Sequence, residues 1–199
     1  MHICLYIQVM CIKWTSLMRS LRKYAGKIIF PALGAFMLFG CARSTKNLSP
    51  VSPFDIEKYA GKWHEQVRYD HRFERGLSSV TAKYTITGDG KVSVLNRGYD
   101  REKGEWSSAK GTAKFKGSKN VGLLKVTFFR PFWGTYKIIY LDEEYQHAIV
   151  TGSSYKYFWM LTRKPDIERS KLEELIEKGI EFGFERNKMI IVKHFGNLE

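Results

Sequence analysis

Cysteine is scarce in this 199-residue chain: Cys4, Cys11 and Cys41 are the three. Apolar runs are short. Residues 28–39 carry no charged or strongly polar side chain, but such a run falls well below the ~20 residues a membrane-spanning helix needs. There is no G-x-S-x-G nucleophile motif, no H-x-x-x-H pair and no paired-cysteine motif. His64, His71, His147 and His194 are scattered. An odd number of residues separates His64 from His71, so a regular strand would point them to opposite faces. Metal and other cofactors are therefore not expected, nor is catalysis. Gly88-x-Gly90 reads as hairpin punctuation rather than a phosphate loop.

What is present begins with the N-terminal leader. Arg19, Arg22, Lys23 and Lys27 precede the apolar run, the order of a signal peptide. Leu38-Phe39-Gly40-Cys41 closes it and resembles the lipobox of bacterial lipoproteins. On that reading residues 1–40 are removed, Cys41 becomes the acylated N-terminus, and translation starts at Met18, which gives a leader of ordinary length. Ala42 follows Cys41 in place of the Asp that signals inner-membrane retention in enterobacterial lipoproteins, so the outer membrane is the expected address.

The chain has 33 basic side chains; without the leader's five, 28 remain against 20 acidic, a net charge of +8. Lys and Arg are interleaved with Glu rather than gathered into a stripe, so nucleic acid is not an expected partner. Attraction to anionic lipid headgroups suits the charge better. The single remaining cysteine excludes an internal disulfide, and stability has to come from a core. Residues 42–53, rich in Ser, Thr and Asn with two prolines, read as a flexible tether.

From residue 54 to 199 the pattern is one domain of short strands. Val80, Ala82, Tyr84 and Ile86 alternate with Thr81, Lys83, Thr85 and Thr87 before the Gly88-Asp89-Gly90 turn. Further strands are expected over 63–71, 92–99, 106–116, 121–129, 133–141, 146–152 and 155–163. Eight strands joined by short links make an antiparallel up-and-down barrel able to hold one small ligand. A helix follows, with Asp166 as its expected N-cap and Ile167, Leu172, Leu175, Ile176, Gly179 and Phe182 at helical spacing. A short final strand covers 189–192. Tyr157-Phe158-Trp159-Met160-Leu161 does not alternate, so both faces of that strand must be covered: the lumen on one side, the helix on the other.

These residues resemble the lipocalin family. Gly61-Lys62-Trp63 looks like the G-x-W motif opening the first lipocalin strand, Asp142-Glu143-Glu144-Tyr145 resembles the second motif, and Arg163 the third. The runs 69–76 and 128–134 are similar to Blc-type bacterial lipocalins, which are outer-membrane lipoproteins. The resemblance spans 54–194 and implies a protein, not an enzyme, that binds fatty acids or lysophospholipids for lipid transport, storage and membrane maintenance.

In an up-and-down meander the even strands return to the end where Trp63 starts. Gly61, Trp63, Asp142, Tyr145 and Arg163 then meet at one closed end, with Arg163 placed to stack on the Trp63 ring. The opposite mouth collects Phe73, Phe132 and Trp133 with Arg72, Arg75, Arg101 and Arg130, whose guanidinium forks suit a phosphate or carboxylate head. Lumen candidates by strand parity are Val80, Ala82, Tyr84 and Ile86, with Tyr99, Trp106, Trp133, Tyr136 and Tyr157 added more loosely. The tether is expected to enter near the closed end, leaving Cys41 without influence on where the mouth points. Two rival readings are a lipid-modifying barrel enzyme and a structural lipoprotein whose side chains fill the lumen.

Overall fold

The computed structural model describes residues 43–195; the leader, Cys41 and residues 196–199 lie outside them. Eight strands follow one another: β1 (Gly61–Arg68), β2 (Leu77–Ile86), β3 (Val92–Asp100), β4 (Glu105–Phe115), β5 (Leu123–Phe129), β6 (Phe132–Leu141), β7 (His147–Thr151) and β8 (Phe158–Thr162). Each pairs antiparallel with the next, and β1 pairs with both β2 and β8, so the sheet closes on itself. Closure removes the exposed edges that an open sheet would present. A ninth strand, β9 (Ile190–Ile191), adds to the upper end of β1.

A four-residue helix, α1 (Ile56–Tyr59), lies just before β1 and is capped by Asp55, whose carboxylate accepts from the amides of Glu57 and Lys58. The second helix, α2 (Arg169–Glu181), starts two residues later than the Asp166 cap would place it, with Glu168 at its N-cap. The cause lies in the preceding carbonyls. The Gln66 side-chain amide donates to Lys164 O and Pro165 O, and Thr162 Oγ1 donates to Lys164 O. Those bonds hold the segment extended past Asp166.

The non-alternating β8 is covered on both faces. Trp159 and Leu161 join the inner cluster of Trp63, Tyr84, Val92, Val94, Leu124 and Val150. Phe158 and Met160 join an outer cluster with Val67, Ile149, Leu175 and Ile176. Burying each such aliphatic side chain stabilises by about 1.5–3 kcal/mol. Gly179 lets α2 approach: a β carbon there would lie 2.9 Å from Phe158 Cζ.

The segment before the barrel is not a free tether. Residues 43–53 form a strap bound along the outer wall. Val51 N–H donates to Ile138 O, Gly122 N–H to Val51 O, and Thr45 N–H to Ser153 O. Lys137, almost fully buried, donates from Nζ to Thr45 O (2.7 Å) and Leu48 O (2.9 Å). Polar composition suggested solvent; the strap's carbonyls instead find their donor in an ammonium on β6. The strap joins the barrel at the closed end, as expected, but its far end is fixed at the mouth. Phe54 bonds to Asn120 at the closed end, whereas Ser44 bridges Ser154 in the β7–β8 connection at the mouth. The strap therefore climbs the barrel, and Arg43 sits at the rim.

Candidate functional site

The closed end is a plug built around Trp63, which is fully buried. Its indole N–H donates to Tyr59 O at 2.8 Å. The Arg163 guanidinium lies 4.0 Å from the indole ring centroid and donates to three backbone carbonyls, those of Tyr145, Lys62 and Lys58. Gly61 takes φ +101° beneath it, and a β carbon there would come 3.2 Å from the Arg163 Nη1. Tyr145 accepts from the Asp55 amide through its hydroxyl. Asp142 accepts from the amides of Gln146 and His147 and pairs with the His147 ring at 2.6 Å. Five residues from three distant segments thus meet at one end, four through side-chain hydrogen bonds and Gly61 through its close approach to Arg163.

Above the plug, Tyr136 joins two other tyrosines. Its hydroxyl is 2.6 Å from that of Tyr59 and 2.9 Å from that of Tyr84. Burial pushes all three phenols above their ordinary range, so they stay protonated and act as neutral donors and acceptors. Ala82 pairs with Trp63 and with Asn96, placing both on the inner face; the Asn96 Oδ1 is buried without a hydrogen-bond partner.

The upper lumen holds a charged group that period-two reading misses. Glu65 and Arg68 are three residues apart and would face opposite sides of a regular strand. The register shifts between Glu65 and Val67, so Glu65 pairs with Leu161 and Arg68 with Trp159, both on the inner face. Arg68 Nη1 donates to Glu65 Oε1 at 2.9 Å, with both side chains buried. Its Nη2 donates to Glu74 O and Leu77 O, tying down the β1–β2 loop. Trp159 Nε1 donates to Glu74 Oε2 at 3.0 Å. His71 stacks against Tyr157 and Trp159, with centroids 5.2 and 4.8 Å away. Arg68 Nε and His71 Nε2 are buried without partners, which leaves polar capacity in the lumen. Desolvation, then the neighbouring Glu74, drive the Glu65 carboxyl up to about 8 against the pull of Arg68. Burial raises Glu74 and lowers His71. All six positions 63–68 of β1 are buried, as the bulge and the cover on both faces of the strand require; the sequence itself carries no signal for this group.

Other lumen candidates take different places. Val80 is buried, with Cγ2 3.2 Å from the site of a β carbon at Gly98. Ile86 lies at the closed end of β2 and is exposed. Tyr99 and Trp106 pair directly, and Arg97 stacks 4.8 Å over the Trp106 ring. Their parity is opposite to that of inward Val94 and Asn96, so they belong to the outer wall. Trp133 is also outward, because its neighbour Gly134 pairs with inner Val126, and the Lys114 ammonium sits 4.6 Å above its ring. Tyr157 stands at the mouth, stacked on Trp159.

At the mouth Phe73 and Phe132 are 76% and 70% exposed, and Phe129 stacks on Phe132. Arg72 is exposed there, while Arg75 is held by an ion pair with Asp70. Arg101 lies over the Phe195 ring. Arg130 lines an outer-wall depression of about 370 Å³ with Asp89, Ser93 and Thr112.

Comparison with known proteins agrees with this architecture. The family model for a lipocalin-like domain matches residues 54–194. The outer membrane lipoprotein Blc of Vibrio cholerae is 47% identical over 168 residues, covering 84% of this chain and 98% of that protein. Blc of Escherichia coli K12 is 40% identical over 172 residues, with 85% and 97% covered. Among solved structures, insecticyanin from the tobacco hornworm superposes with a TM-score of 0.62 at 19% identity, covering 75% of this chain and 85% of that one, a likeness of fold. With its eight-stranded barrel, its Trp63–Arg163 plug and a family match over most of its length, the chain belongs to the lipocalin-like family.

Proposed function

We propose that this binding protein holds a fatty acid or lysophospholipid in its barrel, serves lipid transport or storage in membrane maintenance, and is anchored in the outer membrane through acylated Cys41 after loss of residues 1–40. The observation that carries the reading is the barrel's asymmetry. One end is sealed by Trp63 and Arg163, and the other is ringed by exposed aromatics. Between them lie apolar walls with a few unpartnered polar atoms, the makeup of a cup for an amphiphile. The Blc relatives are outer membrane lipoproteins, which supports the address and the anchor.

Each methylene removed from water contributes about 0.8 kcal/mol, so an acyl chain outweighs its ordering cost by several kcal/mol. The lysophospholipid headgroup stays at the mouth, with Arg72 and Arg75 as its candidate partners, whereas Arg130 turns to the outer wall. The test is a titration of the delipidated mature domain with an oleoyl lysophospholipid, followed by tryptophan fluorescence. Saturable quenching with a Kd of about a micromolar or tighter is expected; no response to that lipid or to oleic acid rejects the reading. The Cys41→Ser protein should be released from the membrane yet bind the lipid equally well.

A further inference from the structure

We infer that the mouth of the barrel is a docking surface and that its partner is the anionic phospholipid surface of the membrane carrying the protein. The inference rests on Cys41 as the acylated residue and adds an orientation to it.

The strap supplies the first argument. It leaves the closed end at Phe54 and reaches the mouth at Ser44, which bridges Ser154. Arg43 O accepts from Tyr155 N–H, and the Arg43 guanidinium lies 4.2 Å over the Tyr155 ring. Cys41 is two residues further on, within ~7 Å of chain length. An acyl chain attached there leaves the protein beside the mouth rather than at the plug. A loose tether could span the whole barrel; this one is fixed by backbone bonds along its length, so the anchor determines which end faces the lipid.

The distribution of exposed apolar side chains supplies the second. Among the described residues with large exposed hydrophobic side chains, Ile86 is the one at the closed end. Phe73, Phe129, Phe132 and Tyr157 crowd the rim. Aromatic rings displayed together on a wet surface mark an interaction site, and at headgroup depth such rings are well accommodated. Charge at the rim adds to this: Arg43, Lys46, Arg72 and Lys156 are exposed there, and basic side chains are drawn to anionic headgroups. In this arrangement a lipid passes between membrane and lumen without crossing water.

Two measurements test the inference. In the full chain, expressed and processed, Glu102→Cys in the β3–β4 turn and Glu143→Cys in the β6–β7 turn each carry an environment-sensitive fluorophore. The proteins are reconstituted in vesicles of phosphatidylethanolamine and phosphatidylglycerol containing nitroxide-labelled lipid. Several-fold stronger quenching at position 102 than at 143 is expected; equal quenching, or stronger quenching at 143, overturns the orientation. The mass of the N-terminal peptide from the same preparation reports acylation separately, so a failed anchor is distinguished from a failed orientation. The Cys41→Ser protein examines the surface without any anchor. At low salt it should co-sediment with phosphatidylglycerol vesicles more than with phosphatidylcholine vesicles, and Phe73→Ser with Phe132→Ser should reduce that binding several-fold while the circular dichroism is unchanged. No preference for the anionic vesicles, or no reduction in the double variant, overturns the docking surface.

Discussion

Arg163 does two jobs with one side chain: its guanidinium faces the Trp63 ring and satisfies three carbonyls from separate segments. Removing it leaves those acceptors short of a donor at a half-buried seam. We expect Arg163→Ala to lower stability by about 3 kcal/mol, read by urea unfolding, because charge-assisted bonds and a cation–π contact are lost together. This contact was legible in the sequence, since strand counting alone brings position 163 to the end where Trp63 begins. Glu65 and Arg68 were not legible as a pair, because the bulge between 65 and 67 turns Arg68 to the inner face and no residue type announces it. Glu65 carries a pH prediction. Its carboxyl is raised from about 4.5 to about 8, so between those values the folded state keeps a proton that the unfolded chain has released. Stability from this group falls as pH rises through that window and levels off above it. The melting temperature of Glu65→Gln, which retains an acceptor for Arg68, should decline less between pH 6.5 and 8.5 than that of the parent; parallel curves would exclude Glu65 as the source.

At the scale of elements, the strap departs most from its composition. Ser, Thr and Asn over 42–53 read as solvent-exposed chain, yet Thr45 is buried and Val51 bonds to both Ile138 and Gly122. The missing information was a partner: nothing in the alternation of β6 marks Lys137 as an ammonium covered by the strap rather than a wet lysine. Lys137→Met removes the donor for Thr45 O and Leu48 O. Hydrogen exchange should then quicken at the amides of Thr45 and Leu48, while the amides of Trp63 and Leu161 on the far wall keep their protection. Strand β8 shows the opposite case. Its unbroken apolar run foretold two covered faces, and Trp159 and Leu161 point in while Phe158 and Met160 meet α2. Parity failed on the longer strands where residues were assigned without a fixed reference. Tyr99, Trp106 and Trp133 are outward, and only the register against Val94 and Val126 reveals it.

For the whole molecule, closure of β1 onto both β2 and β8 makes a barrel with one end plugged by Trp63 and Arg163 and the other rimmed by exposed aromatics, and the account of function depends on that difference. Fold and family were readable from three ordered motifs and eight short strand-forming runs separated by turns. The direction of the N-terminal segment was not, because it is set by contacts with distant strands. The claim at the centre is that the lumen is a lipid cup rather than a core filled by its own side chains. Native mass spectrometry of the mature domain tests it most directly, recorded before and after delipidation and again after incubation with oleoyl lysophospholipid. The account predicts one bound lipid per chain after incubation, displaced by excess oleic acid; a spectrum showing the mass of the bare chain throughout would contradict it.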